Sequence, residues 1–231
     1  MERHIIAFGG SILETDDGKG SVEYLLQVPG VDRPRVCFVP TASAEDAAYI
    51  LRFYEAFGHD VCRPSHLRLF PWPPEDLRRF LFGQDIIYVG SGNTANMLSV
   101  WRVHGVDEAL SEAWKQGIVV AGESAGANCW FEASVTDSFG PALAPLADGL
   151  SLLPGSVCPH YDTEELRRPT YQSLVGESRL PPGLALEEKV GAHFVGQELL
   201  EVIGTVPDAS AYLVSREDGE VVEVTLPART L

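Results

Sequence analysis

Four short runs of the chain are apolar without alternation: His4-Ile5-Ile6-Ala7-Phe8, Arg35-Val36-Cys37-Phe38-Val39, Asp85-Ile86-Ile87-Tyr88-Val89 and Ile118-Val119-Val120-Ala121. A strand with one face in water alternates apolar with polar residues, so continuous runs of this length mark strands covered on both faces. Each run stops at glycine or proline: Gly9-Gly10, Pro40, Gly90 and Gly122. Segments of helical spacing lie between them. Residues 45–57 carry Ala47, Leu51, Tyr54 and Phe57, with Thr41-Ala42-Ser43 as a cap and Gly58 as the stop. Pro73-Pro74 opens a helix through Leu77, Phe80 and Leu81 to Gly83; others pass through Met97, Val100 and Trp101 and over residues 106–116. Residues 60–63 read as one more short strand. Strands alternating with helices predict an α/β fold, a doubly wound, mostly parallel sheet flanked by helices. Ligands of such sheets bind beyond the carboxyl ends of the strands.

After residue 127, Asn128-Cys129-Trp130-Phe131 reads as the continuation of a buried helix and residues 135–141 as a loop. Residues 156–162 read as a strand end carrying His160, and residues 163–175 as a polar helix. Strand-like pieces at 193–195, 201–203, 211–214 and 221–224 predict a β-rich finish, with hairpins completing the sheet. No linker or internal repeat interrupts the 231 residues, which predicts a single domain over 1–231.

The chain has 17 lysines and arginines against 33 aspartates and glutamates, a formal net charge of −16. That field repels phosphate backbones and anionic lipid, so neither nucleic acid nor a membrane surface is expected as a partner. Cys37, Cys62, Cys129 and Cys158 are widely spaced with no C-x-x-C pair, as expected of reduced, buried small hydrophobes. The apolar stretch after Met1-Glu2-Arg3-His4 is too short for a signal peptide, and no run approaches membrane-spanning length. A cytoplasmic location is the expectation.

Gly122-Glu123-Ser124-Ala125-Gly126, directly after the last buried strand, fits the G-x-S-x-G pattern of a nucleophile elbow. In that pattern a sharp strand-to-helix turn presents the serine beyond the sheet, while flanking glycines let backbone pass without a Cβ clash. The same five residues also fit an ordinary glycine-rich turn. Gly90-Ser91-Gly92-Asn93-Thr94 ends another strand and places backbone amides at a helix start, as half of an oxyanion hole would. As a dinucleotide or phosphate loop it lacks both the third glycine and the P-loop lysine. A serine needs a base, and the base an orienting group. Of six histidines, only His160 follows an apolar strand segment and opens a polar loop. Asp137 and Glu188 are both open as the orienting carboxylate, with Asp162 and Glu187 weaker. Histidines and cysteines lack metal-ligand spacing, so neither metal nor organic cofactor is expected.

Tyr88-Val89-Gly90-Ser91-Gly92-Asn93-Thr94, Gly122-Glu123-Ser124-Ala125-Gly126-Ala127, Pro159-His160-Tyr161 and Ala185-Leu186-Glu187-Glu188, in this order, resemble the peptidase E and cyanophycinase family of serine peptidases. Phe38-Val39-Pro40-Thr41-Ala42-Ser43 is similar to that family's second strand and loop, and the likeness spans about residues 4–200. It implies a class I glutamine-amidotransferase-like fold and a catalytic triad of Ser124, His160 and Glu188, with Asp137 in reserve. It also implies oxyanion donors at Gly92 and Ala125, though Ser91 stands where members commonly have glycine. The resemblance implies acidic substrates: dipeptides with N-terminal aspartate, a small peptide substrate, or the β-aspartyl-arginine polymer of cyanophycinases. Arg167 and Arg168, just after His160, are the expected cations for an aspartyl side chain. An α/β-hydrolase-type esterase needs the order Ser, Asp or Glu, His, which Ser124, Asp137 and His160 satisfy formally. The short interval between Ser124 and His160, however, leaves little room for the strands such folds insert. A non-catalytic binding module on the same fold is a third reading. Oligomeric state stays open, a homodimer being one option.

Overall fold

The apolar runs lie side by side in the computed structural model, which describes residues 2–13 and 18–231; Met1, part of the amino-terminal reading above, lies outside them. β1 (His4–Phe8), β2 (Arg35–Val39), β3 (Arg63–His66), β4 (Ile86–Val89) and β5 (Val119–Glu123) form a parallel array in the order β1-β5-β4-β2-β3. Beyond β1 the sheet continues with antiparallel β10 (Val190–Val195) and β11 (Glu198–Gly204), and short β14 (Arg229–Thr230) forms that edge.

Successive residues of a strand point to opposite faces, and here each face has its own core. Ile6, Phe8, Val36, Phe38 and Tyr88 meet Val22 and Leu25 of α1 (Lys19–Gln27) and Tyr49 and Phe53 of α2 (Ala47–Ala56). Ile5, Ala7, Val39, Ile87 and Val89 join the cluster that holds Leu81 of α3 (Leu77–Phe82), Met97 and Trp101 of α4 (Thr94–His104) and Leu110 of α5 (Val106–Lys115). Each large apolar side chain buried this way contributes roughly 1.5–3 kcal/mol. The expected α/β architecture is therefore present, with helices on both faces of a mostly parallel array.

A second sheet departs from the expectation that the late hairpins finish the first one. β6 (Phe131–Thr136), β7 (Ala144–Leu146), β8 (Leu153–Cys158), β9 (Gly183–Leu186), β12 (Ser210–Glu217) and β13 (Glu220–Pro227) run in the order β13-β12-β9-β8-β6-β7. One face packs Leu153, Val157, Leu184 and Leu186 into the α3–α5 core. The other packs Val135, Cys158, Ala185 and Val214 under Tyr171 and Leu174 of α7 (Arg167–Gly176). The pairing register of β6 shifts between Phe131 and Ala133, so Phe131 serves the first core and Ala133 the other.

Three element readings are corrected. The helix after Ser124, α6 (Ala125–Asn128), ends before Trp130 and Phe131, because the carbonyls of Cys129 and Trp130 accept from Leu150 and Leu153 N–H as the chain enters the second sheet. The loop expected at 135–141 begins two residues later, since β6 runs to Thr136. The strand expected at 60–63 lies at Arg63–His66, where Pro64 is tolerated because β3 is the edge of its sheet.

Candidate active site

Three chain segments at the carboxyl ends of β1, β4 and β5 meet at Ser124. The serine sits between β5 and α6 with φ 51° and ψ −109°, and its N–H donates to Phe8 O at 3.1 Å. Both neighbouring glycines are required by space. A Cβ on Gly122 would stand 2.3 Å from Gly126 O, and one on Gly126 would stand 2.2 Å from Val89 O. Backbone therefore packs against backbone around the turn, and Ser124 is held beyond the end of the sheet.

His160 follows β8, also with a positive φ of 56°, and its N–H donates to Gly9 O at 3.1 Å. Its Nε2 lies 2.8 Å from Ser124 Oγ, and its Nδ1 lies 2.5 Å from Glu188 Oε2. That hydrogen bond from the imidazole holds the Glu188 carboxyl below the usual carboxylate range, against the opposing effect of burial. An ionised carboxylate can only accept, so Nδ1 carries a proton and Nε2 is left to accept from the serine hydroxyl. Thr163 Oγ1 also donates to Glu188 Oε2 at 3.3 Å, while Glu188 N–H is held by Asp162 Oδ1 at 2.7 Å. Asp137, the other carboxylate considered, is exposed and lies 3.9 Å from Arg167 Nη2. Glu188 is thus the carboxylate on the imidazole.

The Gly90 loop brings its backbone to the same end of the sheet. Gly90 N–H donates to Val39 O, Ser91 N–H to the Tyr49 hydroxyl at 2.8 Å and Asn93 N–H to Ala42 O at 2.9 Å. Gly92 has φ 137°, and a Cβ there would stand 2.2 Å from Ala42 O. Among the described residues no acceptor takes the N–H of Gly92 or of Ala125. These are the two donors expected of an oxyanion hole.

Of the two arginines expected beside the serine, Arg167 departs from the expectation and Arg168 does not. Arg167 is buried at 3% exposure, with Nε on Glu164 Oε2 at 2.6 Å and Nη1 on Val135 O at 3.2 Å, so it ties α7 to β6 rather than facing a ligand. Arg168 is half-exposed, pairs with Glu223, and lies over the rings of Tyr161 and Tyr212.

Three further residues beside Ser124 and Glu188 carry no motif of their own in the sequence. In the sequence Gly9 and Gly10 mark only the end of a strand. A Cβ on Gly9 would stand 2.0 Å from Glu187 O, and one on Gly10 2.0 Å from Glu188 Oε1, so this pair makes room for the carboxylate. Glu123, the variable residue of the elbow, is fully buried and accepts hydrogen bonds from Ser11, Ile12, Tyr49, Tyr88 and Ser91. A charged residue at the end of a buried strand was the signal available for it.

The sequence model of peptidase family S51 matches residues 5–202. The chain belongs to peptidase family S51. As an S51 member it is a serine-type peptidase, a hydrolase. It is 44% identical over 230 residues to the uncharacterised peptidase YgaJ of Bacillus subtilis (strain 168), covering 99% of each chain. It is 32% identical over 154 residues to peptidase E of Streptomyces coelicolor, covering 64% of this chain and 60% of that one. Two crystal structures share the fold. A candidate peptidase E protein from Listeria monocytogenes EGD-e gives a TM-score of 0.65 at 19% identity, over 88% of this chain and 99% of that one. A peptidase from an acI-B1 Actinobacterium gives 0.68 at 15% identity, over 99% of this chain and 95% of that one. The fold of this S51 peptidase is thus that of peptidase E-like structures. Among its described residues, no helix is long and apolar enough to cross a membrane, and no cluster of histidine, cysteine and acidic residues is placed to hold a metal ion.

Proposed function

We propose that this S51 peptidase cleaves short peptides with an N-terminal aspartate through an acyl-enzyme, using Ser124, His160 and Glu188 as a catalytic triad. The observation that carries the reading is the unbroken contact from Glu188 through His160 to Ser124, 2.5 Å and 2.8 Å long. His160 Nε2 takes the hydroxyl proton as Ser124 Oγ attacks the carbonyl carbon. The oxyanion forms against the N–H groups of Gly92 and Ala125, which need no reorganisation to receive it. The imidazolium, stabilised by Glu188, then gives its proton to the leaving amine. Water attacks the acyl-enzyme by the reverse sequence with His160 again as base, releasing Ser124.

The aspartate preference rests on the resemblance to peptidase E and on Arg168. In a protein of net charge −16, an acidic side chain needs a local cation. Arg168 is half-exposed, it lies over the ring of Tyr161, the residue after His160, and it already holds a carboxylate, that of Glu223. The test is a dipeptide panel of Asp-Leu, Glu-Leu, Ala-Leu and β-Asp-Arg with wild type, Ser124→Ala and Arg168→Met. The expected result is turnover concentrated on Asp-Leu, none in Ser124→Ala, and a KM rise for Asp-Leu alone in Arg168→Met. Full hydrolysis by Ser124→Ala sinks the serine reading; equal turnover of Ala-Leu sinks the preference only.

A further inference from the structure

Resting on the serine-peptidase reading, we propose that Glu123 is a positioning residue that fixes the loop after β4, so that Gly92 rather than Ser91 supplies that loop's oxyanion N–H. Glu123 lies at the end of β5 with 0% exposure, immediately before the nucleophile. An isolated buried carboxylate is prohibitively costly, so its partners matter. Five donors converge on it from the loop after β1, α2, β4 and the loop after β4. Ser11 Oγ at 3.0 Å and Ile12 N–H at 2.7 Å come from the loop after β1. The hydroxyls of Tyr49 on α2 and Tyr88 on β4 come from beneath the sheet end, and Ser91 Oγ at 3.0 Å from the loop after β4. Burial still pushes the carboxyl above the ordinary range against these donors.

Ser91 is held twice by this arrangement. Its Oγ donates to Glu123 directly, and its N–H donates at 2.8 Å to the Tyr49 hydroxyl, which itself donates to Glu123. The loop has four consecutive N–H groups from Gly90 to Asn93. Those of Gly90, Ser91 and Asn93 are consumed by Val39 O, Tyr49 and Ala42 O, which leaves Gly92. The residue that sets which amide is left over is covalently next to Ser124. One side chain thus fixes the nucleophile's backbone and the donor loop relative to each other, the registration an oxyanion hole requires.

The test compares Glu123→Gln, Tyr49→Phe and Ser91→Ala, with kcat expressed per serine titrated to completion by a fluorophosphonate. Affinity for a peptide aldehyde, which forms a tetrahedral adduct, is measured beside KM. In Glu123→Gln the expected result is a fall in kcat of about 10- to 100-fold with KM within about threefold, and aldehyde affinity weakened in parallel. Tyr49→Phe and Ser91→Ala should move the same way by roughly three- to tenfold, each removing part of the network. A purely structural role would lower thermal stability and the titratable fraction while leaving kcat per serine at the wild-type value; that outcome overturns the proposal. Should Glu123→Gln fail to fold, Tyr49→Phe and Ser91→Ala decide it, wild-type kcat in both being refutation. Hydrolysis surviving in Ser124→Ala removes the serine reading and this inference together, whereas a dead Ser124→Ala beside an unimpaired Glu123→Gln removes this inference alone.

Discussion

Ser124 carries a backbone conformation that costs on the order of 1–3 kcal/mol in a non-glycine residue, and it persists because its neighbours leave no alternative. Gly126→Ala tests this, since the new Cβ would meet Val89 O at 2.2 Å, a backbone atom of β4 that cannot step aside. A loss of about 1–3 kcal/mol in urea denaturation is expected, with most activity gone. Glu188 is tested by Glu188→Gln, which keeps shape but presents an amide to Nδ1 and permits the wrong tautomer. A kcat loss of roughly 10³- to 10⁴-fold in dipeptide hydrolysis is expected. Stability carries a second signature. A carboxyl held low in the folded state contributes stability above its unfolded pKa and loses it as pH falls through the folded value. The stability gap between wild type and Glu188→Gln should therefore be widest near neutrality and close in acid below the usual carboxylate range. The serine, the histidine and Glu188 were nameable from motif and resemblance. The demand for glycine at positions 9 and 10 was not, because it arises from a segment nearly 180 residues away.

Elements carry the next layer. α7 is tied to β6 through Arg167, whose guanidinium is buried while its carboxylate partners Glu164 and Asp137 are exposed. Arg167→Met should cost about 1–3 kcal/mol in denaturation midpoint analysis by leaving Val135 O without its donor, with little change in substrate preference. A large shift in the Asp-Leu to Ala-Leu ratio would return Arg167 to the substrate. The β12–β13 hairpin turns through Asp218 and Gly219, with φ of 50° and 94°, the two positive angles that a two-residue connection favours. A hairpin was legible in the strand-like runs at 211–214 and 221–224. Which sheet the hairpin joins was not, because alternation identifies a strand and says nothing about its neighbour.

At the scale of the whole molecule the two sheets share a core, and the antiparallel side of the first carries a partly buried polar chain whose members are remote in sequence. His4 Nδ1 lies 2.9 Å from His193 Nε2, Tyr24 bridges His193 to Glu201, and Arg229 holds Glu201. Burial, with His4 beside it, lowers His193 from 6.5 to about 4. The unfolded chain then binds this proton more readily, so stability from His193 is complete above 6.5 and is lost as pH falls toward 4. Glu201, held low by Arg229, adds in the same sense at more acid pH. Urea midpoints measured across that interval should fall in wild type and fall less steeply in His193→Gln; identical slopes would refute the assignment. By itself the sequence determined the parallel array, because runs such as Ile5-Ile6-Ala7-Phe8 and Ile86-Ile87-Tyr88-Val89 are stable only with both faces covered, and with the family resemblance it marked the elbow in Gly122-Glu123-Ser124-Ala125-Gly126. The tertiary structure alone decided the second sheet, the burial of Arg167 between α7 and β6 and the five-donor seat of Glu123. Each of these depends on which distant segments a residue meets, and local periodicity carries no information about partners far along the chain.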